Sequence, residues 1–218
     1  MLEELHIAEL LCTRLCHDLT GPIGAVNNGA EFLSEEGFNL QNQAVDLIVS
    51  SAFSAVTRLQ FYRLAYGKMR DHGEANLADT KKLLTDFFSD TKTTLDWPDS
   101  HTDAAGVSIS LKMSRLILNL LVVASGALIR GGSIAVRVEQ DGSGQKKVLV
   151  TASGAGLKWD NEMGGVFSGK VGVAELTPKN VQAYLTKRFA DEIEASLTFT
   201  SETDKLTMQV TQAAGTAA

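Results

Sequence analysis

A chain of 218 residues with 44% hydrophobic content can bury one large core or two small ones, and the order of its segments favours two. A net charge of −6 with no run of Lys or Arg excludes a nucleic-acid or anionic-membrane surface, so the partners expected are proteins. The acidic start, the absence of a signal peptide, and a longest apolar stretch (residues 116–129) too short to span a bilayer lead to the expectation of a reduced, cytoplasmic protein.

In the first segment Leu5, Ala8, Cys12, Leu15, Leu19, Pro22, Val26, Gly29 and Leu33 recur at alternating spacings of three and four, which predicts a long helix with one apolar seam. Cys12 and Cys16 project toward that seam and its edge, where core packing is expected; a disulfide within one helical turn is geometrically poor. Thr13, Arg14, His17, Thr20, Gly21, Gly24, Asn28 and Glu31 fall on the opposite side, a strip of polar and very small residues, with Leu10 as its apolar exception. His17 is therefore expected to be open to a partner. An exposed imidazole with one unprotonated nitrogen is a nucleophile, and the adjacent Asp18 can orient the ring or accept its other proton. Taken alone, a His-Asp pair is more often a solvated helix histidine beside an ordinary acid.

A break at residues 36–39 precedes a second seam of Val45, Ile48, Ala52, Ala55, Leu59, Tyr62 and Tyr66. Two long helices joined by a short turn form a hairpin that cannot bury both stripes, so two copies are expected to pair into a four-helix bundle. Polar residues 67–76, with His72 as a solvated linker residue, mark the junction between domains. Beyond them the pattern predicts a helix at 79–88 capped by Asp79 or Thr80, strands at 93–97 and 107–110, and His101 without partners in the turn between them. An apolar helix at 112–129 leads into a hairpin of strands 134–139 and 147–152. A helix follows at 178–195 with Thr177 as N-cap, then strands at 197–200 and 205–210 in a mixed sheet with helices on one side, and a frayed tail from 212.

His17, Asp18 and Pro22 reproduce the box of two-component histidine kinases, where a phosphoacceptor His is followed by an acid and, five positions later, by Pro. The longer run from Leu11 to Leu19, continuing through Pro22-Ile23-Gly24-Ala25-Val26-Asn27-Asn28-Gly29, resembles the ChpT-type histidine phosphotransferases of alphaproteobacteria. The later segments resemble the Bergerat-type ATP-binding domain of the kinases, with its ligands missing. Leu116 to Ala124 aligns with the kinase N box, but Val123 stands where an Asn binds magnesium. Ala152-Ser153-Gly154-Ala155-Gly156 matches Asp-x-Gly-x-Gly with the adenine-binding carboxylate replaced by a methyl group. No glycine-rich loop precedes Pro178, and Gly164, Gly165 and Gly169 are expected only to relax a loop.

The fold class expected is α + α/β: a helical hairpin (1–72) forming a dimeric four-helix bundle, then a Bergerat-like α/β sandwich (73–218) lacking nucleotide-binding residues. The resemblance implies a histidine phosphotransferase that shuttles a phosphoryl group between receiver-domain aspartates through His17. Asp18 and Arg14 would be its catalytic neighbours, Arg14 either neutralising the transferred group or pairing with Asp18. Leu10, Thr20, Gly21, Gly24 and Asn28 would form the receiver-docking strip; Gly21, where many kinases carry Thr or Asn, argues against phosphatase action. No intrinsic cofactor or metal is expected, magnesium coming from the receiver partner. The partners implied are a second copy of the chain and the receivers of a hybrid histidine kinase and of response regulators. The competing readings are an ATP-dependent sensor histidine kinase core and a non-catalytic dimeric adaptor.

Overall fold

The computed structural model describes residues 2–34, 41–68, 73–101 and 107–214. The turn expected at 36–39, the linker His72 and the last residues of the tail lie outside them. Two helices, α1 (Leu2–Ser34) and α2 (Gln41–Tyr66), pack along their length. They run antiparallel, since Gly29 of α1 lies against Ala44 and Ile48 of α2 while Asp18 meets Tyr62. α1 continues through Pro22, whose missing amide leaves the Asp18 carbonyl without its intrahelical donor.

The rest of the chain contributes β1 (Glu74–Ala75), α3 (Leu77–Phe88), β2 (Thr93–Asp96), β3 (Ile109–Ser110), α4 (Leu111–Ala127), β4 (Gly132–Gln140), β5 (Lys146–Ser153), α5 (Asn161–Phe167), α6 (Val181–Glu192), β6 (Ser196–Glu202) and β7 (Lys205–Gln212). A five-stranded sheet has the order β2-β4-β5-β7-β6, with β2 parallel to β4 and every other pair antiparallel. Ile134, Val136 and Val138 of β4, Val148, Val150 and Ala152 of β5, and Leu206, Met208 and Val210 of β7 are buried on one face, as period-two alternation requires of a sheet covered on one side. α4 is the central element: Leu116, Ile117, Leu120 and Leu121 are fully buried between the sheet, α6 and α2, each contributing about 1.5–3 kcal/mol of burial. The core is continuous into the hairpin through Phe61, whose ring lies 4.3 Å from that of Phe87.

The structure revises several element boundaries. α3 starts at Leu77 because Asn76, not Asp79 or Thr80, caps it, its Oδ1 accepting the Asp79 amide at 2.9 Å. α6 starts at Val181, not at Pro178. The buried Asn180 accepts the Thr177 amide at 2.8 Å and donates to Glu162 at 2.6 Å, which holds residues 177–180 in a turn. β1, paired with β3, and α5 were not expected, and Gly164 and Gly165 lie in α5 rather than in a loop. His101 is not partnerless: its Nδ1 meets the Val138 carbonyl at 3.1 Å and its own carbonyl accepts from Trp97 Nε1 at 2.8 Å. Cys12 and Cys16 are free thiols, but exposed rather than packed in the core.

Candidate functional site

α1 presents His17 with its side chain 87% exposed, in the middle of an open stretch of helix. Its Nδ1 lies 3.1 Å from Oδ1 of Asp18. Asp18 is half-buried, and its second oxygen, Oδ2, accepts a hydrogen bond from the Tyr62 hydroxyl of α2. The Tyr62 ring is buried, stacked on Tyr66 at 5.5 Å and 14°, and set edge-on to Phe61. Burial first, and the neighbouring Asp18 carboxylate second, push the Tyr62 phenol far above its ordinary range, so it stays a donor.

Arg14, one turn before His17, does not turn to Asp18. Its Nη1 donates to the Pro178 carbonyl at 3.3 Å, and its charge faces the Tyr66 hydroxyl, which burial nevertheless pushes up to about 12. Tyr66 in turn donates to Gln182 of α6, and Gln182 donates to Asn119 of α4. Asn119 spends its amide on the Ala65 and Arg115 carbonyls at 3.2 and 2.7 Å. A polar chain thus ties the helical hairpin to the centre of the α/β domain, through residues far apart in sequence that no local pattern could reveal.

Of the expected docking strip, Thr20, Gly21 and Asn28 are exposed and Gly24 is half-exposed; a Cβ on Gly21 or Gly24 would meet nothing within 4 Å. Thr20 returns its hydroxyl to the Cys16 carbonyl at 2.6 Å. Leu10 is a correction. It is 8% exposed and belongs to the hydrophobic core, because residues 173–178 fold over this end of α1, where His6 Nε2 also meets the Leu176 carbonyl at 3.3 Å. The open strip therefore begins near Thr13 and cannot include Leu10.

A cleft of about 210 Å³ lies between α1, α4, α5 and α6, lined by Arg14, Val123, Lys158, Trp159, Lys179 and Gln182 among others. A magnesium nucleotide does not fit these residues. The cleft is below the ~300–1,000 Å³ of small-molecule sites. Val123 offers no oxygen, Ala152 is a buried methyl, and the oxygen and amide of Asn119 are taken up inside the protein. Gly154 has a backbone reason to be glycine, since a Cβ there would lie 2.5 Å from the Gly131 carbonyl oxygen. Among the described residues no group of three His, Cys, Asp or Glu could hold a metal ion, and no helix is long and apolar enough to cross a membrane.

An exposed histidine on an open helix, joined to an α/β domain whose cleft does not suit a magnesium nucleotide, is an arrangement of the phosphotransferase class. Comparison with known proteins agrees. Residues 77–205 match the family model described as histidine phosphotransferase C-terminal domain. The protein phosphotransferase ChpT of Brucella abortus (strain 2308) is 34% identical over 192 residues, 88% of each chain. A solved bacterial phosphotransferase superposes with a TM-score of 0.77 at 31% identity, covering 94% of this chain and 96% of its own. The chain belongs to the histidine phosphotransferase family, and it is a phosphotransferase of a phosphorelay.

Proposed function

We propose that His17 is the residue that carries the phosphoryl group. The supporting observation is the combination of an 87% exposed imidazole with a hydrogen bond from its Nδ1 to a carboxylate that is itself anchored. In the tautomer protonated on Nδ1, the Nε2 lone pair faces solvent and attacks the aspartyl phosphate of a receiver domain. An N–P bond forms, the acyl-phosphate P–O bond breaks, and the receiver's aspartate leaves as carboxylate. The positive charge that develops on the ring is offset by Asp18. Attack by the aspartate of a second receiver reverses these steps. The magnesium involved belongs to the receivers, and this chain supplies neither metal nor nucleotide.

Thr20, Gly21, Gly24 and Asn28 form the low surface on which a receiver helix docks, and Arg14 stands beside it with its guanidinium held at Pro178. Donor and acceptors are, by the family resemblance, the receivers of a hybrid kinase and of response regulators. Residues 1–72 act as the transfer unit and 73–218 as its scaffold. The partner across the apolar face of the hairpin is a second copy of the chain: Leu5 and Ile23 of α1 and Val45, Val49, Val56 and Leu59 of α2 are exposed, where a four-helix bundle would cover them. The free, exposed thiols of Cys12 and Cys16 suit the reducing cytoplasm in which receivers operate.

The test is His17→Ala, incubated with a phosphorylated receiver. Acid-labile label on the chain should vanish, while the melting curve stays within about 0.5 kcal/mol of the native one, as expected for an exposed helix position. Label that persists in the variant overturns the assignment.

A further inference from the structure

Resting on His17 as the phosphoacceptor, we propose that Tyr62 is a positioning residue for phosphoryl transfer, acting through Asp18 to fix which ring nitrogen of His17 is free to attack. A His and an Asp adjacent on an exposed helix face would not hold one geometry by themselves, because an exposed ion pair contributes about 0–1 kcal/mol and both side chains rotate freely. Asp18 has a second restraint. Its Oδ2 is held by the hydroxyl of Tyr62, so the carboxylate is pinned between α1 and α2 with Oδ1 turned to Nδ1 of His17 at 3.1 Å.

The Tyr62 ring is itself immobile, 5% exposed and clamped by Phe61 and Tyr66. Order therefore passes outward from a rigid aromatic, through a charge-assisted hydrogen bond, to a side chain in solvent. The carboxylate can accept from only one ring nitrogen. Pinning it selects the Nδ1–H tautomer and leaves Nε2 bare, as a third group does for the histidine of a catalytic triad. Arg14 could otherwise draw Asp18 away at its spacing of four, but its Nη1 is engaged at Pro178. Tyr62 never touches the phosphoryl group.

The experiment uses the full chain and two readouts. Nitrogen-15 spectra of the imidazole report the Nδ1–H to Nε2–H ratio of His17 in the absence of any partner. Reaction with potassium phosphoramidate, in which Nε2 attacks phosphorus and ammonia departs, reports the rate and which ring nitrogen is phosphorylated. Tyr62→Phe removes one oxygen and keeps the ring. It should collapse the preference for Nδ1–H, slow formation of the Nε2-phosphohistidine by about tenfold or more, and have no further effect in an Asp18→Asn background. Tyr66→Phe, which breaks the bond to Gln182 and not to Asp18, should leave the tautomer ratio unchanged.

Should Tyr62→Phe fold poorly, the unmutated residue can be read directly, by a slowly exchanging Tyr62 hydroxyl proton that is lost in Asp18→Ala. An unchanged tautomer ratio in a folded Tyr62→Phe chain, or a hydroxyl proton indifferent to Asp18, overturns the proposal. Loss of label in His17→Ala is a separate result, so failure of the phosphoacceptor assignment would be recognised independently.

Discussion

Glycines on one helix have opposite consequences depending on what stands across from them. A Cβ on Gly29 would lie 2.7 Å from Cγ1 of Ile48 and 3.1 Å from the Ala44 carbonyl oxygen, so the close contact between α1 and α2 requires the missing side chain. Gly21 faces open space. Gly29→Ala is expected to destabilise the chain by about 1–2 kcal/mol, overpacking at ~1–3 kcal/mol outweighing the helix-propensity gain of up to ~1 kcal/mol. Gly21→Ala keeps only the gain and should stabilise by about 0.5–1 kcal/mol. Thermal melting of the two variants should thus move in opposite directions, and on the reading of Gly21 as docking surface its Ala variant should accept phosphate from a receiver more slowly despite its higher melting temperature. Equal shifts of the same sign would remove the distinction between a packing glycine and an open one.

At the scale of elements, the hairpin exposes apolar side chains that a two-helix unit has no means to cover. Val49 and Val56 of α2 are 63% and 52% exposed, and Ile23 of α1 is 55% exposed, on a helix pair whose other side is already packed on the α/β domain. Replacing Val49 and Val56 by Glu would set charges in the face assigned to a second copy of the chain, where burying each without a partner is strongly unfavourable. Light scattering at micromolar concentration should report a dimer for the native protein and a monomer for the double variant; a native monomer contradicts the bundle.

This face also shows what the sequence pattern could convey. The seams at Leu5 to Leu33 and Val45 to Tyr66 were legible because helical periodicity is local, but the pattern could not separate the part covered by the neighbouring helix from the part left over. Leu10 departs from its expected exposure for the converse reason, since residues 173–178 fold over this end of α1 and periodicity carries no information about them. His17 and Asp18 are neighbours in the chain and could be paired by inspection. Tyr62 lies 44 residues away, reads as one more seam position, and acquires its role only when the helices are brought together.

For the molecule as a whole, the cleft between the hairpin and the α/β domain is the place to test the expectation that no nucleotide binds. Its walls come from α1, α4, α5 and α6, and the polar chain from Tyr66 through Gln182 to Asn119 crosses beside it. In this arrangement Asn119 holds domains together instead of facing a metal, while Arg14, pinned at Pro178, closes one side. ATP with magnesium should therefore neither label His17 nor raise the melting temperature. Binding with a dissociation constant one hundredth of the ATP concentration would add about 2.7 kcal/mol to stability by linkage, which a thermal scan would detect readily. Restoring Asn at 123 and Asp at 152 should not produce a kinase, because Asn119 remains engaged by Ala65, Arg115 and Gln182, and residues 177–180 still form a tight turn instead of a glycine-rich phosphate loop. A saturating, magnesium-dependent rise in melting temperature of the native protein near millimolar ATP would overturn this account and favour a nucleotide-driven kinase.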